Sequence, residues 1–214
     1  MASYILRYFP VPARAEICKA LLTFVGANWT LEFPEWPKEK DSQPVGNLPV
    51  LVVKVESNST APFILGDSRA IEKYLATKYD LFYKPNDIQL MARQHEVRAH
   101  MNDIYEMSAL IIHAPEPARQ FFINKYNILT RSVVRNHEKV LRENGSNGHY
   151  FGDKTTYIDV SALASLLTLR KTFINSMPEL LEPFSNDNAP EINNAVEILS
   201  KDPTFAPYIK SLEK

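Results

Sequence analysis

The sequence predicts a mixed α/β domain followed by an all-helical domain, with the boundary near residue 82. Three observations lead there. The short runs rich in β-branched and aromatic residues that read as strands fall before residue 66. One helical apolar period sits between the first two of these runs, and another follows the last. Beyond residue 88 apolar side chains recur at spacings of three and four with little strand signal.

Residues 3–9 (SYILRYF) read as a short buried strand. Ile17, Ala20, Leu21, Phe24 and Val25 then fall on one helix face, and Gly26 stops that helix. In WTLEF (29–33), Trp29, Leu31 and Phe33 alternate with polar neighbours, the pattern of a half-buried strand. The loop PEWPKEKDSQPVGN (34–47) carries Pro34, Pro37 and Pro44, each of which removes a backbone donor and restricts the residue before it. LPVLVVKV (48–55) reads as a buried strand, ESNSTAP (56–62) as a surface turn and residues 63–65 as the partner strand. Asp67 and Ser68 cap a helix that carries Ile71, Tyr74, Leu75 and Tyr79 on its inner side. The order is β-α-β-loop-β-β-α over residues 1–82.

Residues 80–88 (DLFYKPNDI) form a linker, and the helical domain spans 88–214. Val97, Met101, Ile104, Tyr105 and Ile111 mark a long helix that ends near Ala114-Pro115-Glu116-Pro117. A second helical span runs from Phe121 to Leu141, Asn144–Gly148 is a break, and a third helix carries Val160, Leu163, Ala164 and Leu167.

Composition narrows the function. A chain of 214 residues that is 45% hydrophobic and 23% charged is globular and buries a sizeable core. Twenty-four basic against 25 acidic residues leave a net charge of -1, without the electrostatic footprint of a nucleic-acid or membrane-surface binder. No apolar run approaches the roughly eighteen residues of a membrane span, and MASYILRYF lacks the parts of a signal peptide, so the expected location is cytoplasmic. The single cysteine, Cys18, excludes an internal disulfide and a C-x-x-C pair and reads as helix core packing. Asn-x-Ser/Thr triplets at Asn28, Asn58 and Asn144 read as chance. Six glycines form neither a dinucleotide nor a P-loop fingerprint. His95, His100, His113, His137 and His149 lack ligand spacing and read as surface or satisfied core histidines, so no metal is expected.

Three spots in the first domain carry chemistry. At Asn47-Leu48-Pro49-Val50 a proline begins a buried strand. A trans bond there merely starts the strand, whereas a cis bond would turn the Leu48 backbone outward to pair with an extended peptide. Taken locally, the two are equally compatible. At Gly66-Asp67-Ser68-Arg69 a helix N-terminus suits a carboxylate ligand, or is simply a cap. Tyr8 ends the first strand ahead of Arg14 and Glu16 at the first helix, as core or as catalyst.

In this order and at these separations the three spots resemble the glutathione transferases, and most of all the sigma class, which includes glutathione-dependent prostaglandin D synthases and the S-crystallins. The matching pieces are Tyr8-Phe9 with Arg14-Ala15-Glu16, EWPKEK (35–40), GNLPVL (46–51), GDSRAIEKYLA (66–76) and GDKTTYIDVSAL (152–163), the last with a Thr156/Asp159 capping box. The resemblance implies a thioredoxin-like N-terminal domain, an all-helical C-terminal domain and a homodimer. It implies that Tyr8 donates its phenolic hydrogen to the glutathione sulfur and that Arg14 supports that site. Leu48, with Pro49 cis, would pair its backbone with the cysteinyl unit. Ser68 and the helix N-terminus would hold the γ-glutamyl carboxylate, Asp67 the γ-glutamyl amine, and Trp36 with Lys40 the glycyl carboxylate. Glu106, with Asp103 one turn earlier, is the candidate acid reaching the amine from a partner subunit, and Tyr105 and Met107 are candidates for the electrophile pocket wall. Three departures stand out: Pro12-Ala13 in place of Arg-Gly, Asn47 in place of Gln or Lys, and Asp67 in place of Gln or Glu. The first makes Val11, Pro12 and Ala13 candidate determinants of electrophile choice. The implied function is conjugation of glutathione to small apolar electrophiles. The alternatives are a weakly active crystallin-like binding protein, or an isomerase or peroxidase that uses the same thiolate.

Overall fold

The computed structural model describes residues 2–55 and 61–212, Val55 by its backbone alone. Most of the turn expected over 56–62, and with it Asn58, therefore lies outside the described residues. The chain forms two compact units, one of residues up to Leu81 together with those from Thr204 onward, the other of Phe82–Pro203.

The first unit is built on β1 (Ala2–Arg7), α1 (Glu16–Phe24), β2 (Asn28–Glu32), β3 (Val50–Val55), β4 (Phe63–Gly66) and α2 (Ser68–Lys78). The sheet order is β2-β1-β3-β4. β2 pairs parallel to β1, and β3 and β4 are antiparallel to their neighbours. Burial explains the difference in pattern between strands. In β3 Val50, Leu51, Val52 and Val53 are all buried, as a strand covered on both faces requires, whereas edge strand β2 alternates between exposed and half-buried positions. Cys18 is fully buried in α1, among Ile17, Ala20, Leu21 and Leu22. Gly26 supplies the left-handed residue after that helix, at φ 62°. On α2 Ile71, Leu75 and Ala76 are buried, while Tyr74 and Tyr79 are half-buried and the Tyr79 hydroxyl lies 2.7 Å from that of Tyr4.

The second unit holds α3 (Ile88–His113), α4 (Glu116–Glu143), α5 (Tyr157–Phe173) and α6 (Pro190–Lys201), with a 3-10 segment at Pro178–Phe184. The Asp87 carboxylate accepts from Gln89 and Leu90 to start α3, and α4 opens with Pro117 in its first turn, where the missing donor is harmless. The buried stripe of α3 is Val97, Met101, Ile104, Ser108 and Ile111; Tyr105, expected on this stripe, is half-buried beside it. α5 is buried almost all round, with Leu166 in the core where Leu167 was expected. Its start is the Thr156/Asp159 capping box, and the break before it is organised by Asn144. The Asn144 amide donates to the carbonyls of His149 and Gly152 and accepts from the Gly152 N–H. No helix among the described residues is long and apolar enough to cross a membrane.

The C-terminal helix α7 (Ala206–Leu212) departs from the expectation that residues 88–214 form one helical domain. It packs with α1 in the first unit, anchored by fully buried Phe205, whose ring stacks on Phe24 at 5.1 Å and 3°. That burial outweighs proximity in sequence to α6.

Candidate functional site

Strand register gathers the first-unit candidates. Arg7, the last residue of β1, faces Glu32 at the end of β2 and Val50 at the start of β3, and Val50 faces Gly66 at the end of β4. One row across the sheet is therefore where Tyr8 leaves β1, the loop to Trp36 leaves β2, Leu48-Pro49 enters β3 and Asp67-Ser68 leaves β4.

Tyr8 is buried, with 4% of its surface exposed, and its backbone N–H donates to Glu32 O at 3.0 Å. Its hydroxyl oxygen accepts the backbone N–H of Arg14 at 3.0 Å. Accepting that bond polarises the phenol and strengthens its own O–H as a donor. The Tyr8 ring meets Phe9 edge-on at 5.5 Å, and Phe9 meets Trp36 edge-on at 5.3 Å. Val11 and Arg14 are exposed in the loop between strand and helix, Pro12 and Ala13 half-buried. Glu16, the first residue of α1, is buried and paired with Lys19 at 2.6 Å.

Leu48-Pro49 is cis, and so is Trp36-Pro37, which the sequence did not single out. Leu48 and Pro49 are buried, Asn47 and Lys40 exposed. Lys38 pairs with Glu35 at 2.6 Å, whereas Lys40 has no ion pair among the described residues, and its aliphatic chain lies against Gly46. Gln43 holds this loop from beneath: it is buried and its amide donates to Glu39 O at 3.2 Å. Its burial had no signal in a polar, aperiodic stretch.

Asp67 has φ 72°, a left-handed conformation uncommon for a residue other than glycine. Its Oδ1 accepts from the N–H groups of Arg69 (3.0 Å) and Ala70 (3.1 Å), and Oδ2 lies 3.7 Å from the Arg69 guanidinium. Two first-turn donors of α2 are thus taken by the protein's own cap. Ser68, which stands outside that cap, is buried, and its carbonyl accepts the Cys18 thiol at 3.7 Å, which ties α1 to the start of α2.

In the second unit Tyr105, Glu106 and Met107 are half-buried on α3 and Asp103 is exposed, all off its buried stripe. Two histidines are less simple than surface or satisfied core. The His137 ring is buried, with Nδ1 3.0 Å from the Tyr150 hydroxyl and Nε2 without a hydrogen-bond partner among the described residues. Burial, and then the nearby His100, push its pKa down to about 3. His149 Nδ1 lies 3.8 Å from Asp159 Oδ2, too long for a hydrogen bond, and that carboxylate raises the imidazole above its ordinary value.

A four-stranded thioredoxin-like unit whose strand ends collect Tyr8, a cis Leu48-Pro49 and a capped Ser68, followed by an all-helical unit, is the architecture of the glutathione transferases. No family model matches the chain. It is 28% identical over 167 residues to "Probable glutathione S-transferase 6" of Caenorhabditis elegans, covering 75% of this chain and 77% of that protein. It is 26% identical over 198 residues to "S-crystallin 4" of Enteroctopus dofleini, covering 84% and 88%. Among solved structures, the sigma class glutathione transferase of Fasciola hepatica superposes with a TM-score of 0.80 over 100% of this chain and 98% of that one, at 19% identity. In sequence and in fold the chain is similar to glutathione transferases, among relatives that include a sigma-class member and S-crystallins.

Proposed function

We propose that the protein binds glutathione along the strand-end row and conjugates it, as a thiolate, to small apolar electrophiles. The observation that carries this reading is the Arg14 amide hydrogen bond to the Tyr8 hydroxyl, at the row shared with Leu48-Pro49 and Asp67-Ser68. A free thiol with pKa ~8.5 is mostly protonated at neutral pH, and lowering it by roughly two units requires about 2.7 kcal/mol of preferential stabilisation. A hydrogen bond to a charged acceptor supplies roughly 1.5–3 kcal/mol. Tyr8, polarised by the Arg14 amide, therefore provides most of what the ionisation needs, and the Arg14 cation favours the same charge. No general base is required, because the thiolate itself attacks.

The rest of the row holds the peptide. The backbone of Leu48 pairs with the cysteinyl unit, Ser68 meets the γ-glutamyl carboxylate, Asp67 the amine, and Trp36 with Lys40 the glycyl carboxylate, with Asn47 beside them. Lys40 suits that last task because it has no acidic partner among the described residues. The same reading assigns the electrophile to Val11, Pro12, Ala13, Tyr105 and Met107, makes the protein a cytoplasmic homodimer, and brings Glu106 or Asp103 of a second copy to the amine.

Conjugation of glutathione to a chloronitrobenzene tests the activity. Tyr8→Phe should lower kcat/KM roughly 10- to 150-fold, the rate equivalent of one lost charge-assisted hydrogen bond, while retention on immobilised glutathione persists. Retention without conjugation by the unaltered protein would replace this reading with a crystallin-like binding role. Turnover confined to a peroxide or an endoperoxide would replace it with peroxidase or isomerase chemistry.

A further inference from the structure

The break between α4 and α5 contains two Asn-Gly pairs, Asn144-Gly145 and Asn147-Gly148. An asparagine followed by glycine can lose its side-chain amide without a catalyst. The next backbone nitrogen gives up its hydrogen and attacks the side-chain carbonyl carbon Cγ, and the amide nitrogen leaves as ammonia. One water then opens the five-membered succinimide to aspartate or isoaspartate, and nothing is oxidised or reduced. Glycine suits the attack because no Cβ crowds its nitrogen.

The fold treats the two pairs differently. The attacking group of the first, the Gly145 N–H, is already donated to Arg142 O at 2.9 Å. The Asn144 amide nitrogen that would have to leave donates to Asn147 Oδ1, His149 O and Gly152 O, while Asn144 Oδ1 accepts the Gly152 N–H. Attack there dismantles the joint that orders the break.

At the second pair the Gly148 N–H makes no hydrogen bond among the described residues, and Asn147 is exposed, so water can enter and ammonia leave. Gly148 itself is buried against Ile198, with no room for a Cβ, which holds its backbone in place. Asn147 Oδ1 accepts the His149 N–H at 3.0 Å. That bond closes a ring that mimics a backbone turn and sets Cγ beside the Gly148 nitrogen, the alignment that attack requires. Oδ1 also accepts the Asn144 amide at 3.1 Å. The two bonds draw electron density from Cγ and stabilise the oxyanion formed on attack, as an oxyanion hole does. Both persist in the succinimide, because Oδ1 stays on the same carbon. The bond that is lost runs from Asn147 Nδ2 to Gly152 O at 2.8 Å, and that carbonyl keeps the Asn144 amide as a donor, also at 2.8 Å.

We propose that Asn147 is a self-modification site, deamidated by the Gly148 nitrogen in the folded chain while Asn144 is spared. The product carboxylate puts a charge where a donor faced the Gly152 carbonyl, and this loosens the break ahead of the α5 capping box. The site is independent of the glutathione reading.

Peptide-mapping mass spectrometry of the full chain, incubated folded near neutral pH, tests this, with isoaspartyl methyltransferase labelling to mark isoaspartate. Each additional hydrogen bond that must break slows the attack roughly two- to tenfold, and Asn144 has at least two more to break, so Asn147 should convert about tenfold faster. It should also convert no more slowly than in a free peptide of residues 141–152. The deamidated chain, separated by its added negative charge, should unfold at lower urea than the unmodified one. Conversion at Asn144 as fast as at Asn147, or slower conversion of Asn147 in the folded chain than in the peptide, would overturn the proposal. Equal urea midpoints for the two forms would overturn the loosening.

Discussion

Replacing Asp159 by alanine should destabilise the helical unit at a fully buried polar joint. The side chain is fully buried, and its two oxygens accept three hydrogen bonds of 2.7 Å each. Oδ1 takes the backbone N–H of Tyr150, and Oδ2 takes the backbone N–H and the hydroxyl of Thr156. Truncation leaves two buried backbone donors without an acceptor, each at a cost of about 1–3 kcal/mol. It also opens the capping box at the start of α5. The hydroxyl can rotate toward another acceptor and is left out of the sum. The expected loss is about 2–6 kcal/mol, a large share of a domain stability of roughly 5–15 kcal/mol. Asp159→Asn retains one acceptor oxygen and should lose about half as much. Urea unfolding followed by far-ultraviolet circular dichroism gives both values, provided the denaturant slope is unchanged. A loss below about 1 kcal/mol for the alanine variant would mean that water replaces the carboxylate and that the joint is not dry.

Two further perturbations separate structural from ligand-directed roles. Asp67→Ala removes the bonds to Arg69 and Ala70 and should cost about 0.5–2 kcal/mol in the same unfolding assay. Asp67→Asn keeps a capping oxygen but not the charge, so its unfolding midpoint should hold while its KM for glutathione rises; an unchanged KM would show that the ligand's amine is held elsewhere. The two perturbed histidines should bend the pH profile in opposite senses. His137, held near 3 in the folded state against 6.5 as its reference, contributes stability that is intact above about pH 6.5 and is lost as pH falls toward 3. The loss is on the order of a few kcal/mol. His149, raised beside Asp159, contributes stability that is present below its unfolded pKa and lost as pH rises through its raised folded value. In urea midpoints across this range the acid-side loss should shrink in His137→Phe; a profile identical to that of the unaltered protein would refute the assignment.

Much of the fold was legible because periodicity is local. The alternation of Trp29 and Leu31, the unbroken Val50–Val53 run and the face of Ile17, Ala20 and Leu21 each report burial within one element, and each matches the burial observed. Legibility failed where a neighbour chooses the face. Tyr105 and Leu167 are apolar enough for a core, yet the packing of α3 and α5 buries Ser108 and Leu166 instead, since apolar type alone does not set helix rotation. Likewise Phe205 left no sign in the sequence that its partner would be Phe24, some 180 positions earlier.

The candidate site divides along the same line. The sequence by itself determined the chemical parts: a tyrosine at a strand end, a Leu-Pro pair opening a strand, an Asp-Ser pair opening a helix and a capping box before a buried helix. Only the tertiary structure decided that Arg7, Val50 and Gly66 share one row, that Leu48-Pro49 is cis, that Asp67 spends one oxygen on its own helix and that the Arg14 amide points at Tyr8. Propensity and spacing act over a few residues. Register, hydrogen-bond direction and burial depend on which distant segments pack together.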